Sequence, residues 1–214
     1  MKQDIMKTEQ IKTTEYLEQL YQNFDLDPGN KRRSVITDSM DDLGSKGINC
    51  HNCPGYCCTY AHNSMLMTPL ETVELLDFLI SENRVNEKLI ENLKANVKEF
   101  RLDKEIFIGK GREFRRNYTC PFFLDGPKGC SVSPGSKPYG CLGFNPTEAG
   151  VTVRGRCTSD LNALQLREDQ YITQEQKASD KVTKDMGLYW TKKNIPSALL
   201  ELIQNLGGLS VYAD

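Results

Sequence analysis

The stretch INCHNCPGYCCTY, residues 48–60, carries Cys50, Cys53, Cys57 and Cys58, four thiols within nine positions, the last two adjacent. So much sulfur at one point raises the question of what it holds and where further ligands come from. The chain has four more cysteines, Cys120, Cys130, Cys141 and Cys157, with none before Cys50 and none after Cys157. At 214 residues it is long enough to bury a core without disulfide staples. Segregation into a dense and a dispersed group therefore points to metal ligation or redox chemistry, the usual roles of clustered cysteines in a reducing compartment.

A Cys-x-x-Cys turn such as Cys50–Cys53 holds two sulfurs close enough for one metal, because the loop folds back and its amides can donate to the thiolates. Pro54 and Gly55 then supply a second reversal that can bring Cys57 to the same centre. The adjacent pair Cys57–Cys58 is harder to place: neighbouring side chains diverge, so the two serve two centres, or one ligates and one packs. The dense group makes a site alone or shares one with the dispersed group. Thiolates suit zinc and iron–sulfur clusters alike, and eight cysteines supply two four-sulfur sites, or one site with spare thiols. An isolated cysteine is most often an inert buried thiol, so Cys157 is as readily packing as ligand. His51 and His62 read as surface residues near the motif rather than ligands.

Bulk properties bound the function. Hydrophobic residues make up 38% of the chain, mean hydropathy is −0.52 and formal net charge is −2, which describes a polar, foldable chain without general affinity for nucleic acid. The opening MKQDIMKTEQIK has no apolar core that could act as a signal peptide, and no apolar run is long enough for a bilayer. The expectation is a cytoplasmic protein with a metal ion as partner and neither nucleic acid nor membrane.

Along the chain, Ile11, Leu17, Leu20, Tyr21 and Phe24 recur at helical spacing, and Pro28-Gly29 should stop that helix. The following TDSMDDLGSKG, residues 37–47, reads as an acidic linker. In MTPLETVELLDFLI, Thr68 can cap, Pro69 suits the first turn and Glu71 completes a capping box. Leu70, Val73, Leu76 and Ile80 form that helix's apolar face, and Leu89, Leu93 and Val97 predict another helix from about Asn86 to Arg101. EIFIGKGREFRRNY, residues 105–118, looks like a hairpin. Repeated Pro and Gly between Cys120 and Cys157 favour loops that need something to order them. Helical sequence resumes after Cys157, and NIPSALLELIQNLGG reads as a last helix with Pro196 in its first turn. The expected class is α+β, mostly helical, with a small β-hairpin or sheet and a loop-rich, metal-ordered cysteine region. It divides as 1–45 N-terminal helix and linker, 46–160 cysteine-cluster domain and 161–214 helical segment packed on it.

The order of motifs, CHNCPGYCC, then MLMTPLE, then TCPFFLDGPKGCSVSPGSKPYGC, resembles the YkgJ-type cysteine-cluster proteins, described as a zinc- or iron-chelating domain. The resemblance runs from about Cys50 to Phe144. It implies metal binding through Cys50, Cys53, Cys57, Cys58, Cys120, Cys130 and Cys141, and Cys157, just beyond it, is carried as an eighth candidate. Where that family shows Arg-Pro before its last motif cysteine, this chain has Lys137-Pro138.

GKGREFRR clusters cationic side chains, but on a strand Arg115 faces away from Arg112 and Arg116, so a solvated hairpin is the simpler reading. GKG lacks the flanking glycine and hydroxyl of a phosphate loop, and no Ser-His-Asp set, His-Glu-x-x-His or Gly-x-Gly-x-x-Gly is present. Three functions stay open: a zinc- or iron-binding module; an iron–sulfur enzyme related to the flagellin lysine N-methylases, which carry a similar cysteine pattern; and a redox sensor in which Cys57-Cys58 reacts.

Overall fold

The computed structural model describes residues 2–47, 55–104, 115–125, 129–146 and 157–206. These form helices joined to two short antiparallel ladders, so the chain is α+β and mostly helical, as its sequence predicts.

The N-terminal half supplies α1 (Lys2–Asn23), α2 (Gly29–Ser45), α3 (Pro69–Ser81) and α4 (Glu87–Glu99). A one-turn α5 (Tyr139–Leu142), a long α6 (Leu161–Asp185) and α7 (Ile195–Asn205) follow. α3 is central. Glu71 N donates to Thr68 Oγ1 at 3.2 Å while Thr68 N donates to the Glu71 carboxylate at 2.8 Å, the reciprocal cap expected from TPLE. The apolar residues Leu70, Val73, Leu76 and Ile80 are buried, but so are Glu71, Thr72, Glu74 and Leu75 on the other side. A helix buried all round must be surrounded, and α1, α6 and α7 pack against it while α4 packs on α7. Asn86 caps α4 and Asn194 caps α7, with Pro196 in the first turn of α7. Leu20, Leu79, Leu93, Tyr118, Phe122, Leu199 and Leu202 belong to one buried cluster, so the cysteine loops share a core with both terminal segments.

The ladders are minimal. β1 (Leu66–Met67) pairs with β4 (Lys193–Asn194), which ties the entry of α3 to the entry of α7. β2 (Phe144–Pro146) pairs with β3 (Cys157–Ser159). Of the hairpin expected over 105–118, residues 105–114 lie outside the described residues and 115–118 form no named strand. Instead Tyr118 N donates to Asn63 O at 2.9 Å and Tyr60 N to Thr119 Oγ1 at 3.1 Å, so this segment lies beside the first cysteine loop. Among the described residues no helix is long and apolar enough to cross a membrane.

One expectation fails. α1 ends at Asn23, before Pro28, but residues 37–47 are not a linker: Gly29–Ser45 is the helix α2. Pro28 and Gly29 mark a joint between helices, because Pro is tolerated where a helix begins and its missing N–H has no partner to lose. What holds α2 is a set of buried charges that its acidic surface conceals. Arg32, Arg33 and Ile36 are at most 1% exposed. Arg33 Nη1 donates to Glu74 Oε2 at 2.7 Å, Arg32 pairs with Glu74 and with Glu175 of α6, and Tyr21 OH donates to Glu74 Oε1 at 2.9 Å. Burial alone would raise the Glu74 carboxyl, but Arg32 and Arg33 outweigh it and hold it below the ordinary glutamate range. Gly29 is required there, since a Cβ would lie 2.7 Å from Arg33 Nη1 and 2.8 Å from Glu74 Oε1.

Removing one member of a buried pair strands the others, at a cost of about 3–5 kcal/mol. Glu74→Gln should therefore lower unfolding free energy by about that much in urea titration, whereas Lys31→Ala, which breaks an exposed pair with Asp27, should leave the midpoint unchanged. The contribution of Glu74 is fully present above its unfolded value of about 4.5 and is lost as pH falls through its lower folded value. Stability of the native chain should thus decline in acid by more than that of Glu74→Gln.

Candidate metal centre

Each described cysteine is placed by a hydrogen bond at or beside it. Cys57 and Cys58 lie in a single 3-10 turn, Tyr56–Cys58, closed by Cys58 N donating to Gly55 O at 2.8 Å. Gly55 has φ +73°, and a Cβ there would sit 2.6 Å from Phe123 and 2.7 Å from Gly129 Cα. The end of the dense motif is thus packed against the second cysteine segment, and only glycine fits. Cys120 N donates to Cys58 O at 2.7 Å, a direct backbone link between the two groups, while Asn96 of α4 donates to Thr119 O at 2.7 Å.

From Cys120 the chain doubles back: Phe123 N donates to Cys120 O at 3.0 Å, Ser131 N to Phe122 O at 2.9 Å, and Phe123 bridges Cys130. Arg84, just beyond α3, holds the returning arm through Ser131 O and Ser131 Oγ, both at 2.6 Å. Cys141 sits in α5, whose start is fixed by Tyr139 N donating to Glu71 Oε1 at 2.9 Å and by Arg33 Nε donating to Lys137 O at 2.7 Å. Cys157 begins β3 opposite Pro146.

All six of these cysteines line one cavity of about 470 Å³. Cys120 is buried and the other five are half-buried, and none is in a disulfide. Cys58 is the middle of a chain of sulfurs, hydrogen-bonded to both Cys57 and Cys130. Those bonds lower the thiols at its two ends, Cys57 to about 7 and Cys130 to about 6, with the Lys137 ammonium adding to the effect. Cys58 keeps its proton between them and is raised, first by its bond to Cys130. Burial pushes Cys120 up to about 12 and Cys141 well above the usual thiol range. The wall thus mixes thiols that ionise readily with thiols that a bound cation would have to ionise.

Cys50 and Cys53 lie outside the described residues, as does His51, and His62 lines the cavity. Among the described residues, no group of three or more His, Cys, Asp or Glu side chains meets the geometry for holding a metal ion. The donor chemistry nonetheless fits a soft metal, since sulfur from both parts of the chain faces one space. No family model, curated protein or solved structure matches the chain.

Of the polar side chains that set these loops, Arg33, Arg84 and Asn96 went unnoticed in the sequence and Glu71 was read only as a cap, while Arg167 and Glu175 near the same cavity were also missed. One signal was there: Glu71 and Glu74 interrupt an otherwise apolar helix, and a carboxylate on a buried face demands a donor.

Arg84→Ala should free the arm that carries Cys130, costing about 1–3 kcal/mol from two lost hydrogen bonds. Iodoacetamide labelling followed by mass spectrometry should then show Cys130 alkylated severalfold faster, with Cys157 unchanged.

Proposed function

We propose that this chain is a cytoplasmic, YkgJ-type cysteine-cluster protein that binds zinc or iron, the iron form including an iron–sulfur cluster. The observation that carries the reading is the cavity lined by Cys57 and Cys58 from one side of the α3–α4 insertion and by Cys120, Cys130, Cys141 and Cys157 from the other. In this reading Cys58, flanked by Cys57 and Cys130, contributes the central sulfur. Cys120 and Cys141 close the deeper side, and the Cys50–Cys53 turn, two residues before Gly55 in sequence, completes the set. Lys137, whose ammonium already favours the ionised thiols of Cys57 and Cys130, offsets the charge of a thiolate centre in place of the family's arginine.

A bound metal orders the loops that present it. Ligation of a structural zinc releases on the order of 10 kcal/mol, and that energy is shared by every segment that supplies a ligand. Residues 120–141 are short of continuous apolar sequence, so they gain most.

Anaerobic purification with metal and acid-labile sulfide analysis tests the proposal: zinc without sulfide marks a mononuclear thiolate site, iron with sulfide a cluster, and neither metal sinks the reading. Cys58→Ser and Cys130→Ser should lose most of the metal, Cys157→Ser least. Hydrogen exchange with and without chelator should show protection lost together around 55–58 and 120–141. Loss confined to the first segment would refute a shared site.

A further inference from the structure

The cavity extends well past the thiols. Its volume of about 470 Å³ lies in the range of small-molecule sites, and sulfur forms only part of its lining. Another part is one face of α6, where Leu164, Arg167, Glu168, Ile172 and Glu175 follow each other at helical spacing. Leu75 and Leu142 give it an apolar floor, each 1% exposed to solvent. Ile172, also in the lining, is 53% exposed and so stands at the mouth.

Deep in this part is Arg167, 5% exposed, with its guanidinium carbon 3.3 Å from the centre of the Tyr139 ring. Among the described residues its Nε has no hydrogen-bond partner, and Nη2, though ion-paired with Glu175, makes no aligned hydrogen bond. Nε–H and Nη2–H form the side of a guanidinium that takes both oxygens of a carboxylate in parallel. Glu175 fills that role only in part: its Oε2 faces Nη2, but its Oε1 accepts from Tyr139 OH at 2.8 Å and is held by Arg32, which leaves Nε without a carboxylate oxygen. A buried donor left without an acceptor is costly, and among the described residues no acceptor reaches Arg167 Nε. The remaining charges are mixed: Arg115, Lys137 and Lys192 also line the space, as do Glu168 and Glu71, the Glu71 carboxylate being already taken by Thr68 and by Tyr139 N and Lys137 acting on the thiols of Cys57 and Cys130.

We infer that the cavity binds a small organic acid, its carboxylate on the Nε–Nη2 edge of Arg167 and its apolar body against Leu75, Leu142, Leu164 and Ile172. This recognition is separate from metal binding by the thiols and does not depend on which metal they hold. A phosphate of similar size would meet the same edge, but the apolar floor favours a carbon body behind a single anionic head.

Isothermal titration of the full chain, as purified, with benzoate, hexanoate and benzamide tests this. At least one of the two acids should bind with a Kd of about 10 mM or tighter, and benzamide at least about tenfold more weakly than benzoate if benzoate is that acid. Ile172→Trp fills the mouth from an exposed position, so it should keep the fold by circular dichroism and weaken the acid by tenfold or more. Arg167→Lys keeps the charge but loses the two-donor edge, and should weaken the acid to a similar degree. If that variant fails to fold, the Ile172→Trp result decides. The proposal is overturned if neither acid binds at about 10 mM, if benzoate and benzamide bind equally, or if Ile172→Trp leaves affinity unchanged. It is also overturned if acid binding disappears in Cys130→Ser while surviving Ile172→Trp, since the acid would then sit on a metal held by the thiols.

Discussion

Everything near the cavity depends on three buried arginines sharing two carboxylates. Arg32, Arg33 and Arg167 are each at most 5% exposed and meet Glu74 and Glu175 around the ring of Tyr139. Burying charges is expensive, and the Coulombic return compensates only when partners are close and remaining donors are occupied. That demand fixes geometry more narrowly than apolar packing does. Leucines can slide against one another, whereas a guanidinium between two carboxylates has few acceptable positions. The network therefore sets how α2, α3 and α6 stand relative to each other.

Tyr139 passes this constraint to the sulfur. Its ring lies under Arg33 and Arg167, its hydroxyl donates to Glu175, and its backbone N–H is held by Glu71. Two residues later comes Cys141. Because Arg33 also grips Lys137 O, both ends of the short approach to Cys141 are tied to the charged core rather than to other loops. Arg84 and Asn96 do the same for the arms bearing Cys130 and Cys120. A loop-rich region is thus tethered by polar side chains on or beside the helices.

Much of this was legible in the sequence and some was not, for physical reasons. The caps of α3 and α4 and the Pro-started α7 were readable because their signals are local: a hydroxyl or amide three residues before the amide it caps. The sequence left open whether Cys57 and Cys58 share a site with the dispersed cysteines, and the six described cysteines line a common cavity. α2 was missed because its stabilising partners are distant in sequence, Glu74 from α3 and Glu175 from α6. Its own exposed residues, Asp38, Asp41 and Asp42, advertise a turn. The observed β pairings were not read for a related reason. Two-residue strands such as β1 and β4 carry no periodicity to detect, and their register is imposed by the helices that follow them.

Two polar systems, sulfur and ionic, line one cavity without cancelling each other, and the reason lies in what separates them. Desolvation keeps the thiols of Cys120 and Cys141 protonated, so they add little negative charge to the cavity. Charge appears at Cys57 and Cys130, on the side where Lys137 can answer it. Leu75 and Leu142 line the same space and are fully buried, and an apolar lining strengthens each local pairing by keeping water out. In the proposed reading, a soft cation at the sulfur side and an anion at the guanidinium side are therefore each compensated locally.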